Sequence, residues 1–471
     1  MPDSLIREST TTSAVLLATT PASKFVCADG TLLDRVSDQL ASLPIREILI
    51  LNAGGGLGAD LRGVAKVART ATGVVAVLPA DLVAHTEALA LLLDHPARDT
   101  GALVSHDVSA APLRPPVRVE HGRIVAAGSS FHVVPEANAS FRGVLQAGEA
   151  DLAALADIAE ELAELADTGK LGPVTPVETV DLLLVGLVRS GVKVRAAAIG
   201  PLHADRVTGQ LDTDAAVSRL DEVDEAKVRL DTSVKSEDGF FATFLVSTWT
   251  RHLIRPAALL KLTPNTVTGI SIGLATLSAV WFSAGTLPGR LAGAALLYLS
   301  FALDCLDGQL ARYTRTFSPL GAWADGMADR LKEYLVYVGL AFGYGEAGIW
   351  YLAVAAMILQ VVRHSVDFAY AGSVADSARI GALWGRPARS LLEPADAGRA
   401  HGVLGLAQRM ERGTAARWLK KIIVLPIGER MALIAVTAVG WNARVTFLSL
   451  LCWGGVAALY QLAGRIVRSA R

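Results

Sequence analysis

Residues 266–289 form a run of 24 positions without a single charged side chain. A helix of that length spans the ~30 Å hydrocarbon core of a bilayer, and few soluble folds need such a segment. More apolar stretches follow at 291–303, 321–343, 349–362 and 445–466. The stretch 431–441 is too short to span alone. It reaches spanning length only if its helix begins near Ile422 and carries Glu429 and Arg430 at membrane depth. Six spanning helices are therefore expected between residues 240 and 471. Ahead of them, residues 240–262 mix apolar side chains with Arg251, His252, Arg255 and Lys261, the pattern of an amphipathic helix lying in the membrane interface.

The first half has a different rhythm. Short apolar runs at 13–18, 47–52, 74–78, 102–105 and 193–198 suit buried strands. Helical spacing recurs at 32–43, 61–70, 150–166 and 177–190, and a hairpin at 117–126 turns at His121-Gly122. Alternating strands and helices predict a three-layer α/β domain with parallel strands over 13–205. Residues 1–12 are expected to be flexible, and the charged 206–239 to connect the halves. This division explains an otherwise odd average: 52% hydrophobic and 19% charged residues, with a mean hydropathy of +0.41. A formal net charge of −1 argues against nucleic acid as a partner. Cys27, Cys305 and Cys452 are too few and too scattered for a disulfide framework or a zinc site.

The apolar run 14–18 is too short for a secretory leader, so the N-terminus is expected to stay in the cytoplasm. Basic residues set the same orientation. Arg251, Arg255, Lys261, Arg312, Arg315, Arg330, Lys332, Arg363, the Arg-rich loop 371–428 and Arg465, Arg468 and Arg471 fall on one side of the expected spans. Only Arg290 and Arg444 fall on the other. The crowded side is predicted to be cytoplasmic, in a multi-pass protein of the cell membrane.

One segment carries the chemistry. It reads Asp304-Cys-Leu-Asp307-Gly308-Gln-Leu-Ala311-Arg312, then eight residues, then Gly321-Ala-Trp-Ala-Asp325-Gly-Met-Ala-Asp329. Asp304 and Asp307 share one helix face, as do Asp325 and Asp329. The two helices make a hairpin, which brings four carboxylates towards one point. Bare carboxylates at that depth are strongly unfavourable, and a divalent cation relieves the repulsion. An all-oxygen donor set suits Mg²⁺, with Mn²⁺ or Ca²⁺ as alternatives, and Mg²⁺ commonly shares its shell with substrate phosphates. Gly308 permits close approach to the helix backbone, and Arg312 offers a fork to phosphate. The plainer reading is that the acids cap helices and pair with Arg312, Arg315 and Arg330. It accounts for single members but not for the set.

The pattern D-x2-D-G-x2-A-R-x8-G-x3-D-x3-D resembles the signature of the class I CDP-alcohol phosphatidyltransferase family, with every fixed position present. The resemblance covers roughly 240–471 and implies an all-α domain of six transmembrane helices. It implies that Asp304, Asp307, Asp325 and Asp329 surround the metal, with Asp329 as general base. Gly308, Ala311, Arg312 and Gly321 would cradle the cytidine diphosphate, with Asn265 of Thr263-Pro264-Asn265 nearby. Pro426-Ile-Gly-Glu429-Arg430 is similar to a family element near the acceptor pocket. Arg430, aided by Arg363, would then hold an acceptor phosphate; the alternative is an Arg430 ion pair with no ligand. The implied partners are a CDP-alcohol donor, a hydroxyl acceptor, membrane lipid and a second copy of the chain.

The first half resembles a nucleotidyltransferase domain of the sugar-nucleotide type. A soluble cytidylyltransferase joined to such a membrane domain is the layout of bifunctional inositol-1-phosphate cytidylyltransferase / di-inositol-phosphate phosphate synthases. Residues 14–18 match the first strand and 33–40 the helix after it. Asp81 stands where a metal-binding acid is expected, with Asp212 or Asp214 as the second. Where the family has a Gly-rich phosphate loop, this chain has Thr19-Thr-Pro-Ala-Ser-Lys24. Without those glycines the backbone N–H cradle for a triphosphate is lost. The Gly54-Gly55-Gly56-Leu-Gly58 run follows the second strand instead, where it reads as a turn. The domain is thus expected to be degenerate, serving docking or regulation, with Lys24 and Asp81 as its remaining candidates. The expected function is metal-dependent transfer of a substituted phosphate from a CDP-inositol-like donor, with release of CMP. A phospholipid synthase using CDP-diacylglycerol is the alternative within the enzyme class; a non-catalytic scaffold or transporter is the alternative outside it.

Overall fold

The computed structural model describes residues 12–27, 30–52, 54–108, 113–234, 239–383, 418 and 422–469. The flexible segment expected at 1–12 lies almost wholly outside the described residues, as does most of the Arg-rich loop 371–428. The chain divides into two compact units, with a boundary between Val228 and Arg229.

The first unit is a three-layer α/β domain. Its elements are β1 (Ser13–Ala18), α1 (Leu32–Ala41), β2 (Glu47–Asn52), α2 (Gly56–Thr70), β3 (Val75–Pro79), β4 (Leu82–Ala84), α3 (Thr86–Leu93), β5 (Gly101–Ser105), β6 (Pro116–Glu120), β7 (Arg123–Ala127), β8 (Ala139–Ala147), α4 (Leu152–Asp167), α5 (Thr179–Arg189), β9 (Val194–Ala198), β10 (Ala204–Arg206) and α6 (Gln210–Leu220), and α7 (Glu225–Ser233) runs across the boundary into the second unit. The main sheet has the order β2-β1-β3-β8-β5-β9-β7-β6. Strand β1 lies between β2 and β3, parallel to both, and all six of its residues are buried, as its unbroken apolar sequence requires. Helices α2, α4 and α5 pack on one face through Leu61, Val64, Leu155 and Leu183. Helices α1 and α3 pack on the other through Val36, Leu40 and Leu89. The hairpin β6–β7 turns at His121 (φ 50°) and Gly122 (φ 74°), the pair of positive angles that a tight two-residue turn demands.

Two expectations need correction. The sheet is mixed, because β8 runs antiparallel to both β3 and β5. Its sequence, ASFRGVLQA, hides the strand: Ser140, Arg142 and Gln146 interrupt the apolar pattern, yet all nine residues are buried. Each polar one finds a partner inside the unit. The Ser140 hydroxyl donates to the Asp107 carbonyl (2.6 Å), Arg142 to Asp205 (2.7 Å) and the Gln146 amide to the Asp99 carbonyl (2.8 Å). Gly143, at φ +81°, makes the bulge between the paired stretches. The connection also begins later than residue 206. Strand β10 pairs with β4, and Val207, Ala216 and Leu220 are buried within the α/β unit.

The second unit is all helical. Its elements are α8 (Ser247–Leu259), α9 (Pro264–Ser283), α10 (Leu287–Thr314), α11 (Pro319–Tyr344), α12 (Ile349–Leu383), α13 (Ile427–Gly440) and α14 (Ala443–Ser469). Among the described residues, four stretches are long and apolar enough to cross a membrane: Pro264–Ser283, Leu287–Thr314, Ile349–Ser373 and Ala443–Arg465. Helices α11 and α13 occupy the places of the other two expected spans. The uncharged run 266–289 is not one helix. It breaks at Gly285 (φ +69°), and Thr286 caps the next helix by accepting from the Gly289 N–H (3.2 Å). Nor does the fifth helix begin at Ile422. Residues 422–424 are helical, but Leu425 (φ 51°) and Pro426 break the chain, so α13 has 14 residues. Glycines let α11 cross α9 closely, since a Cβ on Gly339 or Gly343 would run into the Ala279 or Phe282 carbonyl.

Candidate metal centre in the helical unit

Helix α10 does not stop at Asp304 but continues to Thr314, ending at Arg315 in the left-handed conformation (φ 56°). Ser318 opens α11 by accepting from the Gly321 N–H (3.3 Å), with Pro319 in the first turn. The short connection folds the two helices into a hairpin and sets the Asp304–Asp307 face against the Asp325–Asp329 face. Asp304, Asp307 and Asp325 each place one oxygen so that the three lie within 4.8 Å of one another. Among the described residues, no other group of His, Cys, Asp and Glu is so arranged. The donors are carboxylates alone, and this chemistry fits a hard divalent cation such as Mg²⁺ or Mn²⁺.

The neighbours of these acids were not legible in the sequence. Thr268 of α9 donates to Asp307 (2.5 Å). Lys332, one turn beyond Asp329 on α11, is only 3% exposed. Its ammonium donates to Asp304 and the Ser271 hydroxyl (3.2 Å) and forms an ion pair with Asp329 across 3.2 Å. The basic pattern counts Lys332 as a surface charge of the cytoplasmic side, but the structure buries it among the acids. Asp329 therefore stands outside the three-carboxylate group, on the lysine. Asn265, in the first turn of α9, meets the start of α11: a Cβ on Gly321 would lie 3.0 Å from its side-chain oxygen. Thr263 fixes that turn by accepting from the Thr266 N–H (3.2 Å). Gly308 faces Arg312 on its own helix, and Ala311 is half-buried. Arg312 donates from Nε to the Ser233 carbonyl (2.5 Å).

Residues 261–393, which hold all four acids, match the family described as CDP-alcohol phosphatidyltransferase. The chain carries a CDP-alcohol phosphatidyltransferase domain. It is similar to the bifunctional IPC transferase and DIPP synthase of Rubrobacter xylanophilus, at 34% identity over 168 residues, covering 32% of this chain and 36% of the relative. It is also similar to the archaetidylinositol phosphate synthase of Aeropyrum pernix, at 36% identity over 88 residues, covering 18% of this chain and 43% of the relative. The match thus spans less than half the length of either relative. Among solved structures, the inositol-1-phosphate CTP transferase from T. maritima aligns at 12% identity and a TM-score of 0.33, over 45% of this chain and 97% of that one.

Elsewhere in the helical unit, Arg430 is not an open guanidinium. It clasps Glu333 of α11 through two bonds of 3.0 and 3.1 Å and donates a third to the Leu425 carbonyl (3.1 Å). Glu333 is completely buried and also accepts from the Tyr337 hydroxyl (2.5 Å). The ion-pair alternative therefore describes Arg430, with Glu333 as partner rather than Glu429. Glu429 instead faces the Phe241 N–H (3.4 Å). Arg363 donates to the Val424 carbonyl (2.8 Å) and Gln360 (3.3 Å). A charge spaced four residues after Asp329 inside an apolar helix was the available signal for Glu333.

In the α/β unit, Asp81 is 2% exposed and bound at both oxygens by Arg206, at 2.8 and 2.9 Å, with Thr20 at 3.3 Å. Asp212 accepts from Thr208 (3.0 Å) and Asp214 from Gln210 (2.9 Å). The expected Asp81 pairing with either one is replaced by ion pairs to arginine. The neighbouring acid, Asp205, is held by Arg114 (2.6 Å), Arg142 (2.7 Å) and Arg219 (3.2 Å). Lys24 is an exposed residue ending a short 3₁₀ turn.

Proposed function

We propose that the helical unit moves a substituted phosphate group from a CDP-alcohol to an acceptor hydroxyl, with release of CMP. The observation that carries this reading is the meeting of Asp304, Asp307 and Asp325 across the α10–α11 hairpin, with Asp329 one turn further along. These acids would hold a divalent cation, whose chemistry is to neutralise a diphosphate and stabilise a departing phosphate. Asp329 accepts the proton of the acceptor hydroxyl. The acceptor oxygen bonds to the phosphorus that carries the alcohol, and the bond from that phosphorus to CMP breaks. Asn265 and Gly321, side by side at the starts of α9 and α11, line the donor's approach.

The active site would lie on the cytoplasmic side, supported by the distribution of basic residues along the helices. The name of the archaetidylinositol phosphate synthase favours an inositol-type substrate. CDP-inositol and CDP-diacylglycerol are the two donors to compare. The α/β unit serves docking or regulation, because arginine already engages its Asp81 and Asp205.

The full chain, purified in detergent with Mg²⁺, should release CMP from one of these donors when offered inositol phosphate or glycerol phosphate. Asp329→Asn should lower release by at least about 100-fold, the usual scale of a lost general base, while keeping the protein folded. Undiminished turnover in that variant would remove the base assignment.

A further inference from the structure

We propose that Lys332 is a built-in counter-charge of the acid cluster, a positioning residue that sets how tightly the cluster takes a divalent cation. The inference deepens the reading above and rests on it. A lysine ammonium has three N–H donors and no acceptor. Here it donates to Asp304 and Ser271 and stands 3.2 Å from an oxygen of Asp329, an ion pair. The serine is turned for this contact, because its own hydroxyl proton goes to the Ser300 carbonyl (2.9 Å). The ammonium is thus held between two carboxylates and a hydroxyl inside the protein, and the side chain is buried to 3% exposure. A buried ammonium satisfied in this way is a fixed charge.

Asp304 belongs both to the lysine's set and to the three carboxylates that meet within 4.8 Å. A cation brought to Asp304, Asp307 and Asp325 therefore shares a carboxylate with a positive charge already in place. Two positive charges that share one carboxylate in a low-dielectric interior repel strongly. The lysine weakens divalent binding and holds Asp329 on the α11 side of the cluster. Its two roles are joined in one atom, Nζ.

The test is calorimetric titration of Mg²⁺ into the full chain in detergent, with no substrate present. Lys332→Met should bind Mg²⁺ at least about tenfold more tightly than the parent protein, a modest part of the repulsion removed. Lys332→Gln, which keeps a polar N–H donor without the charge, should shift the same way and serves if the methionine chain does not fold. Unchanged or weaker Mg²⁺ binding in the folded neutral variant overturns the proposal, because a merely structural lysine would alter stability and not affinity. Asp325→Asn separates this from the metal site itself. Loss of Mg²⁺ binding there with unchanged binding in the lysine variants refutes the lysine's role alone. Wild-type binding in Asp325→Asn refutes the cluster as a metal site.

Discussion

Glu333→Gln isolates the question of what Arg430 does. Both groups are buried, at 0% and 4% exposure, and they share two bonds of 3.0 and 3.1 Å. Removing one charge of such a pair leaves the other uncompensated in a dry environment, at a cost of about 3–5 kcal/mol. The Tyr337 hydroxyl keeps an acceptor in the glutamine amide, so the loss reports the ion pair and not that side bond. For a unit of this size the change corresponds to a fall of roughly 10 °C in thermal midpoint. Arg430→Met should fall by a similar amount, since it strands Glu333. The double variant Glu333→Gln/Arg430→Met should recover most of the loss, because neither charge remains to be desolvated. The assay is thermal unfolding in detergent, read by intrinsic tryptophan fluorescence, across the four corners of the cycle. Single variants that melt with the parent, or a double variant whose loss is the sum of the two, would refute the pairing argument. An Arg430→Met chain of normal midpoint but raised KM for a phosphorylated acceptor would return this arginine to ligand binding.

Two further outcomes concern the α/β unit. Burial lifts the Asp181 carboxyl to about 7, against the opposing pull of Arg206. Its pKa is higher folded than unfolded, so its contribution to stability is complete below about pH 4 and is lost as pH rises through about 7. Asp181→Asn should therefore match the parent near pH 4 and melt higher than it at pH 8; parallel melting curves across that range would contradict the assignment. The full chain given CTP, Mg²⁺ and inositol phosphate should release no pyrophosphate above background in a preparation that does release CMP, and brisk pyrophosphate release would show a live cytidylyltransferase.

The sequence made the division into two halves legible because the uncharged run 266–289 has no counterpart before residue 240. It made the metal candidates legible because acids at helical spacing are rare in apolar helices. Three features escaped it, each for a physical reason. The strand at Ala139–Ala147 carries buried polar residues whose partners are remote in sequence, so no local pattern marks it. The apolar run 266–289 reads as one segment because hydropathy does not register a single glycine at φ +69°. Lys332 and Glu333 read as the charged end of a span, since a composition rule cannot tell a solvated charge from one whose partner sits on another helix.

The two units hold similar acids yet treat them differently, and the difference lies in the geometry of the cation. Arginine presents a planar fork, and Arg206 occupies both oxygens of Asp81 at once. Asp205 is likewise engaged at both oxygens, by three arginines. Carboxylates covered in that way have little lone-pair capacity left for a metal. Lysine is a compact charge whose three donors diverge. Lys332 faces one oxygen each of Asp304 and Asp329 and donates to Ser271. The partner oxygen of each acid keeps its lone pairs, and Asp307 and Asp325 lie outside the lysine's set. A cluster balanced by one lysine can still ligate, whereas acids clasped by arginine forks cannot. The same arithmetic leaves the acid cluster of the helical unit, unlike Asp81 and Asp205, with oxygens that arginine does not cover.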